Sequence, residues 1–366
     1  MMDRQLALLL RHYAALSPSS PALLPAPPFP SARDLSLPHT QQWLVDHLLA
    51  HDVQEVDAGG HTWKRGFWRR IVKGVEEGFD ERRAVGDTQV DDEEVHPDIL
   101  EAMVEFLSSG ASAGAPGVST RTYYWGDLTS APSAWESLRA REEGRLISGG
   151  TTGLRTWQAC IALSNHLVAS PAPVRRARRI LELGAGVGLL SLVAARLIRG
   201  VGGDGRVVAT DIDEKVLEML EGNIELNGLS NNVHCTMLDW ELASDAAAIA
   251  GDLARWEQAA FDGDGRADLV LGADIVYDPT LATHLAATLG WLLRPGELHE
   301  PPPEALIAGT VRNESTWALF LRECEGRKLR VDAVPLEVPP GQSGLVGAEG
   351  WEGEGEVRLV RLTAAV

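Results

Sequence analysis

The stretch RRILELGAGVGLL, residues 178–190, decides the fold. An apolar run closing on an acid and then on Gly-x-Gly-x-Gly reads as a strand feeding a nucleotide-binding turn, in which Gly184, Gly186 and Gly188 let the backbone approach a ligand closely. The spacing departs from the dinucleotide fingerprint Gly-x-Gly-x-x-Gly, and Glu182 stands where it would repel a diphosphate. S-adenosyl-L-methionine carries a ribose, an ammonium and a sulfonium but no phosphate, so it suits that acid better. NAD and a plain tight turn are the competing readings of the motif taken alone.

Outward from the turn, short β-rich runs alternate with helical patterns. RVVATD (206–211), NVHCTMLDW (232–240), ADLVLGAD (267–274) and EALIAGTVR (304–312) each precede or follow a helix-length segment. This alternation predicts right-handed βαβ units and an α/β, Rossmann-like, mostly parallel sheet with helices on both faces. KLRVDAVPL (328–336) and EGEVRLVRLTAA (354–365) are joined without a helical pattern and are expected to pair antiparallel at the sheet edge, with the Gly-rich, acidic segment between them a loop.

In such a sheet, ligands bind at the carboxyl ends of the strands. Asp211 ends the second strand, where an acid can accept hydrogen bonds from both ribose hydroxyls; the competing reading is a helix N-cap. Asp239 and Trp240 end the third, suited to the amine and the plane of an adenine or, alternatively, to a cap and a core ring. Asp274 and Tyr277 follow the fourth, where Asp274 is expected to orient an acceptor amine and Tyr277 to wall its slot and stabilise the developing cation. Taking a lysine from its ordinary pKa near 10.4 to neutrality at pH 7 costs roughly 4.6 kcal/mol, which desolvation in an aromatic slot can offset. A turn before Pro279 is the plain reading of Asp274. Upstream, ISGGTTGLRTWQACIALSNHL (147–167) reads as a loop and then a helix, with Trp157 able to close over the methionine end of the cofactor or to sit in the core.

The first 115 residues read as a small helical module. Leu6, Leu9, Leu10, Tyr13 and Leu16 have helical spacing, a second helix is expected near 39–50, and PDILEAMVEFL (97–107) carries Pro97 in its first turn. Seven prolines from Pro18 to Pro38 predict a loop. The acids of 80–98 read as a solvated stretch and the Ser/Ala/Gly run 108–119 as a linker. The expected division is a helical module at 1–115, a candidate for substrate recognition, a linker at 116–144 and a catalytic domain at 145–366.

Composition narrows the partners. With 52 Asp and Glu against 33 Lys and Arg, a formal charge of -19, the chain is unsuited to duplex nucleic acid; the excess acid favours a basic protein partner or, on the plain reading, simply keeps the chain in solution. Three scattered cysteines suit a reducing compartment, with no spacing for a metal site. No run predicts a signal peptide or membrane span, so a cytoplasmic location and a monomer are expected.

Taken together, Trp157, Glu182 to Gly188, Asp211, Leu238-Asp239-Trp240 and Asp274-x-x-Tyr277 resemble the pattern of the seven-strand S-adenosylmethionine-dependent methyltransferases, specifically the family 16 group of protein methyltransferases. ISGGTTGLRTWQA, the Leu-Asp-Trp run and Thr310-Val311-Arg312-Asn313 look like the subgroup that methylates a lysine of translation elongation factor 2. The resemblance implies trimethylation of one lysine on that factor. It also implies cofactor contacts at Trp157, Gly184, Ala185, Gly186, Asp211, Trp240 and Ala273, with Thr310, Arg312 and Asn313 on the acceptor side. The same fold acting on another protein lysine or a small molecule, or retained only for binding a partner, are the alternatives.

Overall fold

The computed structural model describes residues 4–17, 29–51, 60–108, 117–143, 153–200, 202–243, 245, 249–261, 263, 265–295, 302–346 and 355–365. The expected Pro-rich loop at 18–28, the linker residues 109–116, the start of the ISGG loop and most of the acidic loop at 347–354 lie outside them.

The N-terminal part is helical. Helices α1 (Arg4–Ala14), α2 (Ala32–Leu35), α3 (Pro38–Leu44, continued by a π-helical turn Val45–Leu49), α4 (His61–Ala84) and α5 (Pro97–Ser108) enclose a core of their own. Helix α4 falls in a region that sequence patterning leaves unassigned, because Gly66, Gly74 and Gly78 interrupt it. Its Phe67, Trp68, Ile71, Val72, Val75 and Phe79 nonetheless repeat at helical spacing and are all buried. Gly78 has a packing reason: a Cβ there would stand 1.9 Å from the Ala32 carbonyl oxygen, so glycine lets α2 cross α4. The acids at 87–94 are not merely solvated. Asp87 and Glu93 accept from the buried Arg82 guanidinium at 2.8 and 3.0 Å, closing the end of α4.

Residues 116–144, expected to be a linker, hold an antiparallel hairpin, β1 (Val118–Trp125) and β2 (Glu136–Glu143). The run VSTRTYYW is rich in β-branched and aromatic residues, and a turn-rich DLTSAPS separates it from β2, which is a hairpin signature. Tyr123, Trp125, Leu138 and Ala140 pack into the core of the large sheet, while Leu128 and Trp135, between the strands, pack into the helical core, so the hairpin segment joins the two cores. Helix α1 spans both cores, with Leu6, Leu9 and Tyr13 on the helical side and Leu8 on the sheet side.

The large sheet comprises β3 (Arg179–Leu183), β4 (Arg206–Asp211), β5 (Val233–Met237), β6 (Leu269–Ala273), β7 (Glu304–Val311), β8 (Leu329–Val334) and β9 (Glu356–Ala364), in the order β5-β4-β3-β6-β7-β9-β8. All pairings are parallel except those of β9, which runs antiparallel to both neighbours. The expected antiparallel edge is therefore present, with β9 inserted between β7 and β8. The strand pleat sends Ile180 and Glu182 to one face and Leu181 and Leu183 to the other. The first face is covered by α6 (Gln158–Ala169), α8 (Leu189–Arg199) and α9 (Glu214–Leu226), while α7 (Ala172–Arg176) leads from α6 into β3. The second is covered by α10 (Ala254–Ala260), α11 (Pro279–Leu292) and α12 (Glu314–Gly326). Chain order reverses between β3 and β6, and the crevice at that switch point is where a ligand binds in such sheets. No described helix is long and apolar enough to cross a membrane.

Candidate active site

The turn after β3 crosses the carboxyl edge of the sheet and opens α8. Gly184 has φ +60, and a Cβ on it would lie 2.7 Å from Ile275 Cγ2, so the chain can turn there only without a side chain. The Ala185 amide donates to the Thr210 carbonyl at 2.7 Å, and the Gly186 amide donates to Asp211 Oδ2 at 3.1 Å, which ties the turn to the end of β4.

Asp211 also accepts from the amides of Ile212 and Asp213 through Oδ1, at 2.8 and 3.2 Å. Burial raises its pKa against these three donors. The helix-cap reading fails for Asp211, because Asp213 caps α9 by accepting from Lys215 and Val216. Asp239 turns the chain, accepting from the Glu241 amide at 2.8 Å, and Trp240 stands half-buried beside Gly184.

Glu182 faces α8 and is 1 % exposed. Its Oε2 accepts from the Ser191 hydroxyl, and burial pushes its carboxyl up to about 8, so near neutrality the group holds a proton.

Asp274 has φ +55, a conformation uncommon outside glycine that points to local constraint. The constraint is visible: Oδ2 accepts from the Ala159 amide in the first turn of α6 at 2.8 Å and Oδ1 from the Thr310 amide at 2.7 Å, while the Thr310 hydroxyl donates to Oδ2 at 3.2 Å. Arg312 Nη1 lies 3.8 Å from Oδ1, and the side chain is 5 % exposed. Both oxygens thus accept from protein donors, contacts that the sequence, read as placing Asp274 to orient an acceptor amine, does not reveal. Nor does Asp274 begin the turn before Pro279; Asp278 caps α11 by accepting from Thr280 and Leu281.

Tyr277 is 59 % exposed at the rim, and burial of its ring together with the negative charges of Asp211 and Asp278 raises its pKa, so the phenol is neutral. Trp157 begins α6 with the guanidinium carbons of Arg155 and Arg312 at 5.3 and 5.2 Å from its ring centroid. Thr310 and Arg312 converge on Asp274, and Asn313 caps α12.

Eleven of the residues singled out from sequence, Trp157, Glu182, Gly184, Ala185, Gly186, Asp211, Asp239, Trp240, Ala273, Asp274 and Tyr277, line one cleft at the switch point, whereas Gly188, Thr310, Arg312 and Asn313 are outside its lining.

Comparison with known proteins identifies the family. The lysine methyltransferase family profile matches residues 136–317. The chain is 33% identical over 261 residues to the protein-lysine N-methyltransferase EFM3 of Chaetomium thermophilum, covering 69% of this chain and 72% of that protein. It is 33% identical over 244 residues to the protein-lysine N-methyltransferase EEF2KMT of Homo sapiens, covering 66% and 69%. The chain belongs to the lysine methyltransferase family. Aeropyrum pernix fibrillarin, solved with bound S-adenosyl-L-methionine, aligns at TM-score 0.36 and 14% identity over 62% of this chain and 90% of that one.

The methyltransferase uses S-adenosyl-L-methionine, and its cleft suits that cofactor. Its acids Asp211 and Asp239 match a ligand that is cationic and free of phosphate, beside which Glu182 would give up its proton, and the bare Gly184 leaves room for a close backbone approach. Sequence reasoning missed Thr156, Cys160, Ile275 and Leu281 of the methyltransferase cleft. Cys160 and Leu281 reach it on α6 and α11, while Thr156 and Ile275 stand beside Trp157 and Asp274 in the chain. Cys160 is buried and its thiol pushed well up by burial and by the charges of Glu182, Glu142 and Asp274, which makes it a wall rather than a nucleophile.

Proposed function

We propose that this methyltransferase modifies a lysine of translation elongation factor 2, with Gly184 to Gly186 and Glu182 receiving the methionine part of the cofactor, Asp211 the ribose, and Asp239 and Trp240 the adenine. The observation that carries the reading is the convergence of these residues on one cleft with Tyr277 exposed at its mouth. The ISGGTTGLRTWQA run and the relationship to EEF2KMT support the acceptor. When bound, the cofactor supplies an electrophilic methyl group on a sulfonium. The chain's own part is to hold an acceptor amine in line with it and to desolvate that amine, so that it gives up its proton to water. Tyr277 offers a neutral ring face on which the amine's charge can rest as it develops. Asp274 acts as a positioning residue: its bonds to Ala159 and Thr310 fix Trp157 and the end of β7 around the slot. The acid surplus of the chain favours a basic protein surface.

The test is incubation of the purified enzyme with methyl-labelled S-adenosyl-L-methionine and a lysate lacking its own copy, followed by mass spectrometry of labelled bands. A methylated lysine on elongation factor 2 supports the proposal. Label on another protein keeps the enzyme and replaces the acceptor.

A further inference from the structure

The hairpin reaches the cofactor cleft through two consecutive residues of β2. Glu142 is 2 % exposed and its carboxylate is saturated: Oε1 accepts from the Tyr123 hydroxyl at 2.6 Å and the Thr156 hydroxyl at 2.7 Å, and Oε2 accepts from the Thr156 amide at 3.0 Å. Arg121 Nε stands 3.4 Å from Oε2. Thr156 lines the cleft immediately before Trp157, and the next residue of β2, Glu143, donates its amide to the Leu154 carbonyl at 2.7 Å.

On its other side, Arg141 pairs through its backbone with the side-chain amide of the buried Asn223, at 2.8 and 3.2 Å. Asn223 also donates to the carbonyl of Val187 within the glycine turn, at 2.9 Å. One strand thus touches both walls of the cleft. The hairpin is joined to the helical module as well, because Arg121 Nη1 of β1 donates to the carbonyls of Ala15 and Leu16 at the end of α1, at 3.0 and 3.3 Å.

We infer that Glu142 is a positioning residue for cofactor binding, which holds the Thr156–Trp157 wall in its binding position through its own hydrogen bonds rather than through the general seating of the hairpin. A buried carboxylate that accepts from both the amide and the hydroxyl of one residue fixes that residue's backbone and rotamer together. Neither can move without stranding buried polar groups. The inference rests on the assignment of the cleft to S-adenosyl-L-methionine.

The test compares the full chain with Glu142→Gln and with Asn227→Ala. Asn227 seats the same hairpin by pairing with the backbone of Arg139, at 2.9 and 2.6 Å, and does not line the cleft. Calorimetric titration with S-adenosyl-L-methionine is expected to show affinity reduced at least tenfold in Glu142→Gln and within twofold of the unaltered protein in Asn227→Ala. The KM for the protein acceptor is expected to stay within about threefold in both. Hydrogen exchange over residues 153–157 is expected to quicken in Glu142→Gln alone. Tyr123→Phe, which deletes one donor and leaves the charge, is the variant to use if Glu142→Gln does not fold, with an expected two- to fivefold loss of affinity. Equal loss in Glu142→Gln and Asn227→Ala, or unchanged affinity in Glu142→Gln or Tyr123→Phe, would overturn the inference. No binding by the unaltered protein would overturn the assignment of the cleft first.

Discussion

The carboxylate of Asp274 accepts a hydrogen bond from the amide of Ala159 at 2.8 Å, joining the end of β6 to the start of α6 across 115 residues of chain. Replacing Asp274 by alanine strands the buried amides of Ala159 and Thr310, each at a cost of roughly 1–3 kcal/mol. Asp274→Ala is therefore expected to lower the thermal midpoint and to weaken cofactor binding by more than tenfold as well as abolishing transfer. A variant with full cofactor affinity and no turnover would return Asp274 to a direct role on the amine.

Asp211→Ala removes the acid at the end of β4 and the acceptor for Gly186. Charge-assisted hydrogen bonds contribute about 1.5–3 kcal/mol each, so a loss of cofactor affinity between about ten- and a hundredfold or more is expected in calorimetry. Unchanged affinity would remove Asp211 from the ribose site.

Glu182 sets a pH dependence whose sign can be worked out. Its carboxyl titrates near about 8 in the folded protein against 4.5 for the ordinary value, so between those limits the folded state holds the extra proton and stability falls as pH rises. A cationic ligand beside it favours the carboxylate, so cofactor affinity should rise by up to about tenfold per pH unit towards pH 8 and then level. Glu182→Gln should flatten both trends. A parallel slope in the variant, measured by titration at pH 6, 7 and 8, would assign the proton elsewhere.

Tyr277→Phe keeps the ring and should leave kcat/KM for the acceptor within about threefold, whereas Tyr277→Ala should reduce it by ten- to a hundredfold with cofactor affinity unchanged. Because the phenol titrates above its ordinary value of 10, the rate profile from pH 6 to 9 should show no step that disappears in Tyr277→Phe. A large loss in Tyr277→Phe would mean that the hydroxyl itself, not the ring, meets the substrate.

The strands and the cleft were legible because parallel strands buried on both faces read as apolar runs, and because the groups that touch a ligand must follow those runs. What Asp274 does was not legible: Ala159 and Thr310, which engage it, lie far off in sequence, and an acid after a strand reads the same whether its oxygens are free or occupied. Glu142 stands among Glu136, Arg139, Arg141 and Glu143, and only the fold distinguishes the one that turns inward. The hairpin itself carried a usable signal in its aromatic run and turn-rich centre. Helix α4 was obscured by glycines that pattern reading takes as breaks and that close helix packing requires.

The position of β9 has a consequence for how the protein is made. Glu304 to Val311 of β7 lie opposite Thr363 to Glu356 of β9, and β8 joins the sheet only through β9. While the ribosome is still adding the residues between, β7 carries a bare edge of unpaired amides and carbonyls, open to wrong partners. The residues that line the cleft, 153–281, have by then left the peptidyl transferase centre. The nascent chain thus has the residues of its cleft in hand before its sheet can close, and β9 enters between two neighbours instead of adding at a free side.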